Sequence, residues 1–276
     1  MCFSRPSEVV GYFFTMRPIR LLQITDCHLG SERGDQLLGL DTDQSFLDVL
    51  NDLQTQDDPD IIVCTGDISN DSSALSYQRF VDITRKYFPT TPLAWLPGNH
   101  DDPLNMDLAQ PSPIEAAHRI GGWNLIFLDS RIPMEEGGNL PPRELTRLRN
   151  QLNEHYNLPT IVFMHHQPVP VGSKWLDTYV IDNAQELFAV VEDFPNVRAL
   201  CWGHVHQAYD SYHNDIRLLA TPSTCVQFKP LESDFTLDNS MPGYRFMDLY
   251  SDGRLETRVN RVKDKMYEID FASLGY

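Results

Sequence analysis

Short apolar runs alternate with helical stretches along most of this 276-residue chain, and that alternation restricts the possible folds more than any other feature. Runs typical of β-strands occupy residues 19–25, 61–65, 93–96, 123–128, 160–164, 197–202, 216–220, 244–250 and 255–259. Helical stretches follow at residues 44–54, 76–87, 143–156 and 183–191. This order predicts an α/β protein. Little helix separates the last four runs, so we expect antiparallel strands there, and two sheets packed face to face with helices outside.

The chain reads as one domain spanning residues 16–276. Its 41% hydrophobic residues are enough for a buried core, and the sequence contains no internal repeat, low-complexity tract or long linker. The Pro- and Gly-rich stretch 133–142 indicates a surface loop rather than a boundary. Met16 directly precedes the first strand-like run, so we expect residues 1–15 to be a poorly ordered extension or a misassigned start.

The charge balance excludes several kinds of partner. Lys and Arg total 22 against 39 Asp and Glu, which gives a formal net charge of −17. Proteins that bind nucleic acid through its phosphates, or that dock on anionic membranes, need a clustered basic surface, so we expect neither partner. A small anionic substrate requires a strongly positive local site, which bound metal ions supply.

Cysteine usage bears on the compartment. The five cysteines form no CxxC pair, and three of them lie in or beside apolar runs, which indicates reduced and mostly buried thiols. This pattern predicts a cytoplasmic protein. No apolar run approaches the roughly 18 residues that a membrane span needs.

Polar residues cluster directly after five of the predicted strands. The clusters are Asp26-Cys27-His28, Gly66-Asp67, Gly98-Asn99-His100-Asp101, His165-His166 and Gly203-His204-Val205-His206. Loops at the carboxyl ends of parallel strands converge on one crevice, so we expect these clusters to be neighbours. Gly66, Gly98 and Gly203 each precede a candidate ligand and permit a positive φ or a close backbone approach.

The residue types in these clusters point to metal binding. Asp, Asn and His without thiolates suit manganese, iron or zinc. Six of the nine histidines fall in the clusters, which scattered structural histidines would not do. Taken singly, each motif has a plainer interpretation: Asp-x-His can be a helix cap, and Gly-Asp is a common turn. The occurrence of all five in order is what favours a metal centre.

In this order the five motifs resemble those of the calcineurin-like metallophosphoesterases, and the resemblance covers residues 19–259. It implies a four-layer α-β-β-α sandwich of two mixed sheets, with two divalent metal ions. Carried over residue by residue, Asp26, His28 and His206 would bind one ion, and Asn99, His165 and His204 the other. Asp67 would bridge the two. His166 would support the site or contact the substrate, and Cys27 would pack in the interior.

The resemblance also implies a mechanism. A hydroxide shared by two ions roughly 3.5–4 Å apart attacks phosphorus in line. His100, beside a ligand, would stabilise the developing charge or protonate the leaving oxygen, and would otherwise only orient Asn99 or Asp26. The substrate would contact His28, Asp67, Asn99, His100, His204 and His206. Two divalent ions would outweigh the negative charges of the two carboxylate ligands, Asp26 and Asp67. The site would then be locally positive on an acidic protein.

Finer features resemble the bacterial class III 3′,5′-cyclic-AMP phosphodiesterases. They include Leu21–Asp26, the run Trp95-Leu96-Pro97-Gly98, and the segment from Ala220 to Pro230 with Phe235–Asp238 and Pro242–Arg245. The implied reaction opens cyclic AMP to 5′-AMP, with iron or manganese favoured over zinc. Another small phosphate ester is the alternative substrate, and a non-catalytic scaffold is disfavoured by the complete ligand set.

Several points stay open at this stage. The loop Ser223-Thr224-Cys225, the segment 227–235 and Asn70 are candidates for purine recognition, but the same loop can equally be structural or part of a subunit contact. The sequence leaves undecided the native metal, the choice between cyclic AMP and cyclic GMP, and whether the protein is a monomer or a homodimer.

Overall fold

The computed structural model describes residues 17–110 and 117–275. The strands are β1 (Ile19–Ile24), β2 (Gln36–Leu37), β3 (Leu40–Asp41), β4 (Ile61–Cys64), β5 (Leu93–Trp95), β6 (Ala117–Ile120), β7 (Trp123–Phe127), β8 (Thr160–Phe163), β9 (Val197–Trp202), β10 (Tyr209–His213), β11 (Ile216–Ala220), β12 (Gln227–Phe228), β13 (Leu237–Asp238), β14 (Gly243–Leu249) and β15 (Leu255–Arg261). The helices are α1 (Thr42–Leu53), α2 (Ala74–Tyr87), α3 (Pro103–Ala109), α4 (Pro142–Glu154) and α5 (Ala184–Val191), with a 3₁₀ turn at Leu176–Tyr179. The predicted extension at residues 1–15 lies outside the described residues.

Two mixed sheets dominate the fold. One has the strand order β15-β14-β1-β4-β5, and the other has the order β10-β11-β9-β8-β7-β6. In the first sheet β1, β4 and β5 run parallel, β14 pairs antiparallel with β1, and β15 pairs antiparallel with β14. In the second, β7, β8, β9 and β11 run parallel, and β6 and β10 are antiparallel edge strands. The prediction of two mixed sheets is confirmed.

Burial on both faces of the central strands explains their continuous apolar runs. Side chains alternate between the faces of a strand, so Ile61 and Val63 of β4 join an inter-sheet core while Ile62 faces helices α1 and α2. In β8, Phe163 lies in the same inter-sheet core, and Val162 faces the cluster that includes α4 and α5. The layers are therefore helix, sheet, sheet and helix, as the sequence predicts.

The expectation of an antiparallel C-terminal part is wrong in one place. β11 pairs with β9 in parallel, with Leu218 opposite Leu200. The sequence pattern does not predict β10, which runs opposite to β9 and forms an antiparallel hairpin with β11. β11 therefore runs in the same direction as β9. β10 is an edge strand of half-exposed polar and aromatic residues, so it has no apolar run that would reveal it. The pairing of β14 with β15 is antiparallel, as expected.

No helix in the described part of the chain combines the length and the apolar character that crossing a bilayer requires.

The inter-sheet core makes a direct stability prediction. Leu125 of β7 is fully buried in it, so Leu125→Ala is expected to lower the free energy of unfolding by about 2–5 kcal/mol through lost burial and a residual cavity. Urea unfolding measures the change. Leu104→Ala is the matched control, because Leu104 is 75% exposed and its truncation should change stability by no more than about 0.5 kcal/mol. Equal losses in both variants would contradict the assignment of the core.

Candidate metal centre

The candidate site lies where β1, β4, β5, β8 and β9 end, and backbone hydrogen bonds join the loops that leave these strands. The amide of Asp26 donates to the carbonyl of Gly66 over 2.9 Å, and the amide of His28 donates to that of Asp67 over 2.9 Å. Across the two sheets, the amide of His204 donates to Oδ1 of Asp26 over 3.0 Å. The structure thus brings all five predicted clusters together.

Three of the predicted ligands form a first cluster: Asp26, His28 and His206, all buried. Nε2 of His28 is 3.3 Å from Nε2 of His206, and the latter atom is 3.4 Å from Oδ1 of Asp26. Two imidazole nitrogens and a carboxylate oxygen thus converge on one point. Neutral imidazole and carboxylate are ligands that divalent iron, manganese and zinc accept.

A second cluster is formed by Asn99, His165 and His204. The amide oxygen of Asn99 is 3.1 Å from Nε2 of His165 and 3.1 Å from Nδ1 of His204. His165 is fully buried and His204 is 7% exposed. Asn99 places a neutral oxygen beside two imidazoles, so the cluster adds no charge of its own.

Asp67 lies between the two clusters. Its Oδ2 atom is 3.2 Å from Nε2 of His165 and 3.9 Å from Nε2 of His28. Its Oδ1 atom accepts a hydrogen bond of 3.0 Å from the amide of His100, which holds the carboxylate in orientation. One carboxylate oxygen therefore reaches donor atoms of both clusters, which is the position a bridging ligand requires.

Backbone carbonyls orient two of the imidazoles. Nδ1 of His165 is 2.8 Å from the carbonyl of Thr65, and Nδ1 of His206 is 2.8 Å from that of Val226. A carbonyl oxygen only accepts, so Nδ1 carries the proton in each ring. Nε2 then faces the centre, the usual arrangement for a metal-binding histidine.

The electrostatics of the site suit cations. Burial holds the pKa of His28 and of His204 well below the ordinary histidine value, so both rings are neutral and available as ligands. Oδ2 of Asp67, between the two clusters, is buried and has no hydrogen-bond partner among the residues that the structure describes. An unsatisfied buried carboxylate oxygen, beside converging nitrogen donors, fits a site for two divalent ions.

Five predicted ligands adopt a left-handed backbone conformation that the sequence does not reveal. The φ angles are 53° at Asp26, 48° at His28, 48° at Asp67, 62° at His204 and 48° at His206. Such angles are uncommon outside glycine and collect at functional sites, where the surrounding fold maintains them. The sharp turns aim consecutive side chains at one centre.

The predicted role of the glycines is realised in two ways. Gly66 has a positive φ of 99°. Gly98 instead allows a close approach, because a Cβ there would overlap Oδ1 of Asp67, and Gly203 does the same against Oγ1 of Thr25. In the Gly203 loop the left-handed angles belong to His204 and His206 and not to the glycine.

Asp101 is a site residue that the sequence reading left without a role. Its buried carboxylate accepts hydrogen bonds from the amides of Ile68 at 3.1 Å, Ser69 at 3.1 Å and Gly98 at 2.8 Å. Burial, with the charge of Asp67, raises its pKa to about 6. Asp101 therefore connects the loop after β4 to the loop after β5. The one sequence feature that could have indicated this role is its position at the end of Gly-Asn-His-Asp.

His100 and His166 lie beside the clusters in different ways. The half-buried His100 packs edge-on against His28 with 5.1 Å between ring centroids, and it lines an adjoining cavity. His166 uses both ring nitrogens elsewhere: Nδ1 is 2.8 Å from Oγ of Ser130, and Nε2 is 3.2 Å from the carbonyl of Glu136. This supports the choice of His165 as the ligand.

The candidates for purine recognition separate in the structure. The loop Ser223-Thr224-Cys225 is completely buried, and it braces the end of β1 through a 2.7 Å bond from Oγ of Ser223 to the carbonyl of Asp26. Asn70 is exposed. The segment 227–235 contributes Phe228 and Phe235 to the cavity beside Asn99 and His204. Of the two interpretations of the loop, the structure therefore favours the structural one.

Comparison with known proteins agrees with this geometry. The profile of a family described as Calcineurin-like phosphoesterase matches residues 19–208. The 3′,5′-cyclic adenosine monophosphate phosphodiesterase CpdA of Pseudomonas aeruginosa is 41% identical over 261 residues, which cover 94% of this chain and 95% of that protein. A 3′,5′-cyclic-nucleotide phosphodiesterase of Nostoc is 36% identical over 252 residues, covering 89% of this chain and 93% of that protein.

A solved structure shows the same fold at lower sequence similarity. The crystal structure of a dimetal phosphatase from Danio rerio superimposes with a TM-score of 0.64, covering 91% of this chain and 99% of that chain, at 12% identity. With the matched profile and the close sequence relatives, these findings establish that this chain is a member of the calcineurin-like phosphoesterase family.

Proposed function

We propose that this protein hydrolyses 3′,5′-cyclic AMP to 5′-AMP at two divalent metal ions. The observation that carries the proposal is the set of seven donors in two clusters that share Asp67. Relatives of nearly the full length, named as cyclic-AMP phosphodiesterases, support the choice of substrate. Lowering of cellular cyclic AMP would follow from this activity.

In this proposal each cluster holds one ion: Asp26, His28 and His206 for the first, and Asn99, His165 and His204 for the second, with Asp67 contributing to both. When bound, the two ions supply Lewis acidity toward the phosphate and a hydroxide nucleophile at neutral pH. Iron or manganese is favoured over zinc by family resemblance. The chain's part is to hold the donors in a fixed geometry, with His28, Asp67, Asn99, His100, His204 and His206 around the bound substrate.

His100 is the proposed catalytic residue outside the ligand set. Its backbone is held on both sides, since its amide donates to Asp67 and its carbonyl accepts a 2.6 Å bond from Oγ of Ser72. Its imidazole lines the cavity next to Asn99 and His204. From there it can stabilise charge on the phosphate or give a proton to the leaving 3′-oxygen.

The net charge restricts which phosphodiesters reach the site. A chain at −17 repels a long nucleic-acid backbone, whereas a small cyclic nucleotide meets only the locally positive centre. We also propose a cytoplasmic location for a single-domain protein. Its support is that Cys27, Cys64, Cys201 and Cys225 are buried free thiols, which suits a reducing compartment.

The first prediction concerns the reaction itself. Purified protein with added manganese should release 5′-AMP from cyclic AMP, and removal of metal by a chelator should abolish the release. Asn99→Ala should lower the rate at least about 100-fold, because one cluster loses its oxygen donor. Chromatographic quantification of 5′-AMP measures both effects.

Asn239→Ala is the matched control for that prediction, since Asn239 is an exposed amide outside the two donor clusters. A wild-type protein that cleaves a generic aryl phosphodiester but leaves cyclic AMP intact would move the substrate to another small phosphate ester. Metal-independent release would overturn the metal centre.

A second prediction separates catalysis by His100 from metal binding. His100→Ala should lower kcat for cyclic AMP by about 10²–10⁴-fold, the usual contribution of a general acid or base. The metal content per chain, measured by elemental analysis, should match that of the wild type. Loss of metal together with activity would instead make His100 a ligand or a group that orients one.

A third prediction tests Asp101 as a positioning residue. Asp101→Asn keeps the size of the side chain but places an amide donor against backbone amides that need an acceptor. Manganese affinity should fall about 10- to 100-fold, as for other groups that orient metal ligands. Titration of the metal-free protein with manganese measures it. Asp102→Asn is the control: Asp102 caps α3, and Asn caps a helix equally well, so unchanged affinity is expected there.

A further inference from the structure

An aromatic wall borders the cavity beside the metal centre. It consists of Trp175, which precedes the 3₁₀ turn, Phe228 of β12 and Phe235, which precedes β13. The three rings meet edge to face: centroids lie 5.0 Å apart for Trp175 and Phe228, 5.1 Å for Trp175 and Phe235, and 5.5 Å for Phe228 and Phe235. Such edge-to-face contacts are favourable, so each ring fixes the orientation of the others.

The wall is joined directly to the metal centre. Phe228 is 1% exposed, and its ring stacks on the imidazole of His206 with 4.2 Å between centroids and 11° between planes. Trp175 and Phe235 are only half buried, so part of each ring remains uncovered. Both line the same cavity as Asn99 and His204. Trp175 is therefore no more than two ring contacts away from a metal ligand.

The cavity is lined by two kinds of side chain. Asn99 and His204 belong to the cluster that can hold a cation, which would attract a phosphate. Trp175 and Phe235 offer flat, uncharged surface, which suits a planar heterocycle. Ligand pockets are typically concave and lined by aromatic side chains with a few polar groups.

We propose that Trp175 and Phe235 form the base subsite of this enzyme, stacking on the purine of a cyclic nucleotide whose phosphate lies at the metal centre. This inference rests on the proposed function and adds the residues that select a nucleotide over other phosphodiesters. Phe228 packs against both of these rings and against His206. It is not a residue for testing the subsite, since its replacement would also disturb a metal ligand.

Tyr179 and Glu136 supply a polar edge to the same cavity. The ring of Tyr179 stands edge-on to that of His204, with 5.8 Å between centroids and 89° between planes. A hydroxyl and a carboxylate at this edge can receive the N–H groups of a stacked base.

Stacking on the base acts equally on substrate and transition state, so its loss should raise KM and leave kcat unchanged. The test compares cyclic AMP with base-free ribose 3′,5′-cyclic phosphate. Trp175→Leu and Phe235→Leu keep apolar volume and remove the aromatic face. Each should raise KM for cyclic AMP about 10- to 100-fold, the range for loss of one base–aromatic stack. KM for the base-free substrate should stay within twofold.

Phe188→Leu is the matched control, because Phe188 is a partly buried aromatic on α5 that packs on the same core and stacks on His213, away from the cavity. It should leave both KM values unchanged. An unchanged KM for cyclic AMP in both cavity variants, or an equal rise for both substrates, would overturn the subsite.

A binding measurement keeps this inference separate from the proposed function. Wild-type protein loaded with manganese should bind 5′-AMP at least tenfold more tightly than ribose 5-phosphate by calorimetry, and both leucine variants should lose that preference. Equal affinities in the wild type would overturn the subsite, whatever the activity. Absence of cyclic-AMP hydrolysis beside a clear preference for 5′-AMP would reject the reaction and keep the subsite.

Discussion

The carboxylate of Asp67 is the point on which the rest of the structure depends. It is 1% exposed, and a buried charge is costly unless it is paired and hydrogen-bonded. Here one oxygen accepts from the amide of His100 and the other faces His28 and His165. These groups come from the loops after β1 and β5 in one sheet and after β8 in the other. The contacts of this one side chain therefore require the two sheets to pack with these strand ends next to each other. The same charge contributes to the raised pKa of Asp101, which in turn ties two of the loops together.

In this fold the residues with strained backbone angles are different from the residues that hold them in place. Five of the predicted ligands have left-handed backbone angles, a conformation that costs on the order of 1–3 kcal/mol per residue. The inter-sheet core and the hydrogen bonds between loops maintain these turns, and fully buried residues such as Ser223 hold the end of β1 from behind. The core and these hydrogen bonds fix the directions of the donors, which favours a defined geometry at the proposed metal centre. The aromatic wall continues this arrangement, because Phe228 supports His206 on one side and Trp175 on the other.

The pattern of apolar residues predicted strands that are buried on both faces, but it did not predict strands at the edge of a sheet. β4 and β8 were predictable because every residue in them is buried, which produces continuous apolar runs. The edge strand β10 carries no such run, and α3 has only 7 residues, too few to show a helical period. The missed hairpin strand then led to the wrong expectation for β11, since local sequence does not reveal which neighbour a strand will choose.

The sequence by itself determined the layered α/β fold and the identity and order of the candidate ligands, because each ligand follows a strand whose apolar pattern marks where it ends. Only the tertiary structure decided which ligands share a cluster, that Asp67 reaches both, and that His166 turns away toward Ser130 and Glu136. It also decided the hydrogen bonds of Asp101 and the placement of Trp175 and Phe235 beside the cavity. The physical reason is the same in each case: these are contacts between segments far apart along the chain, and no local period or spacing encodes the direction in which a side chain points once two sheets have packed.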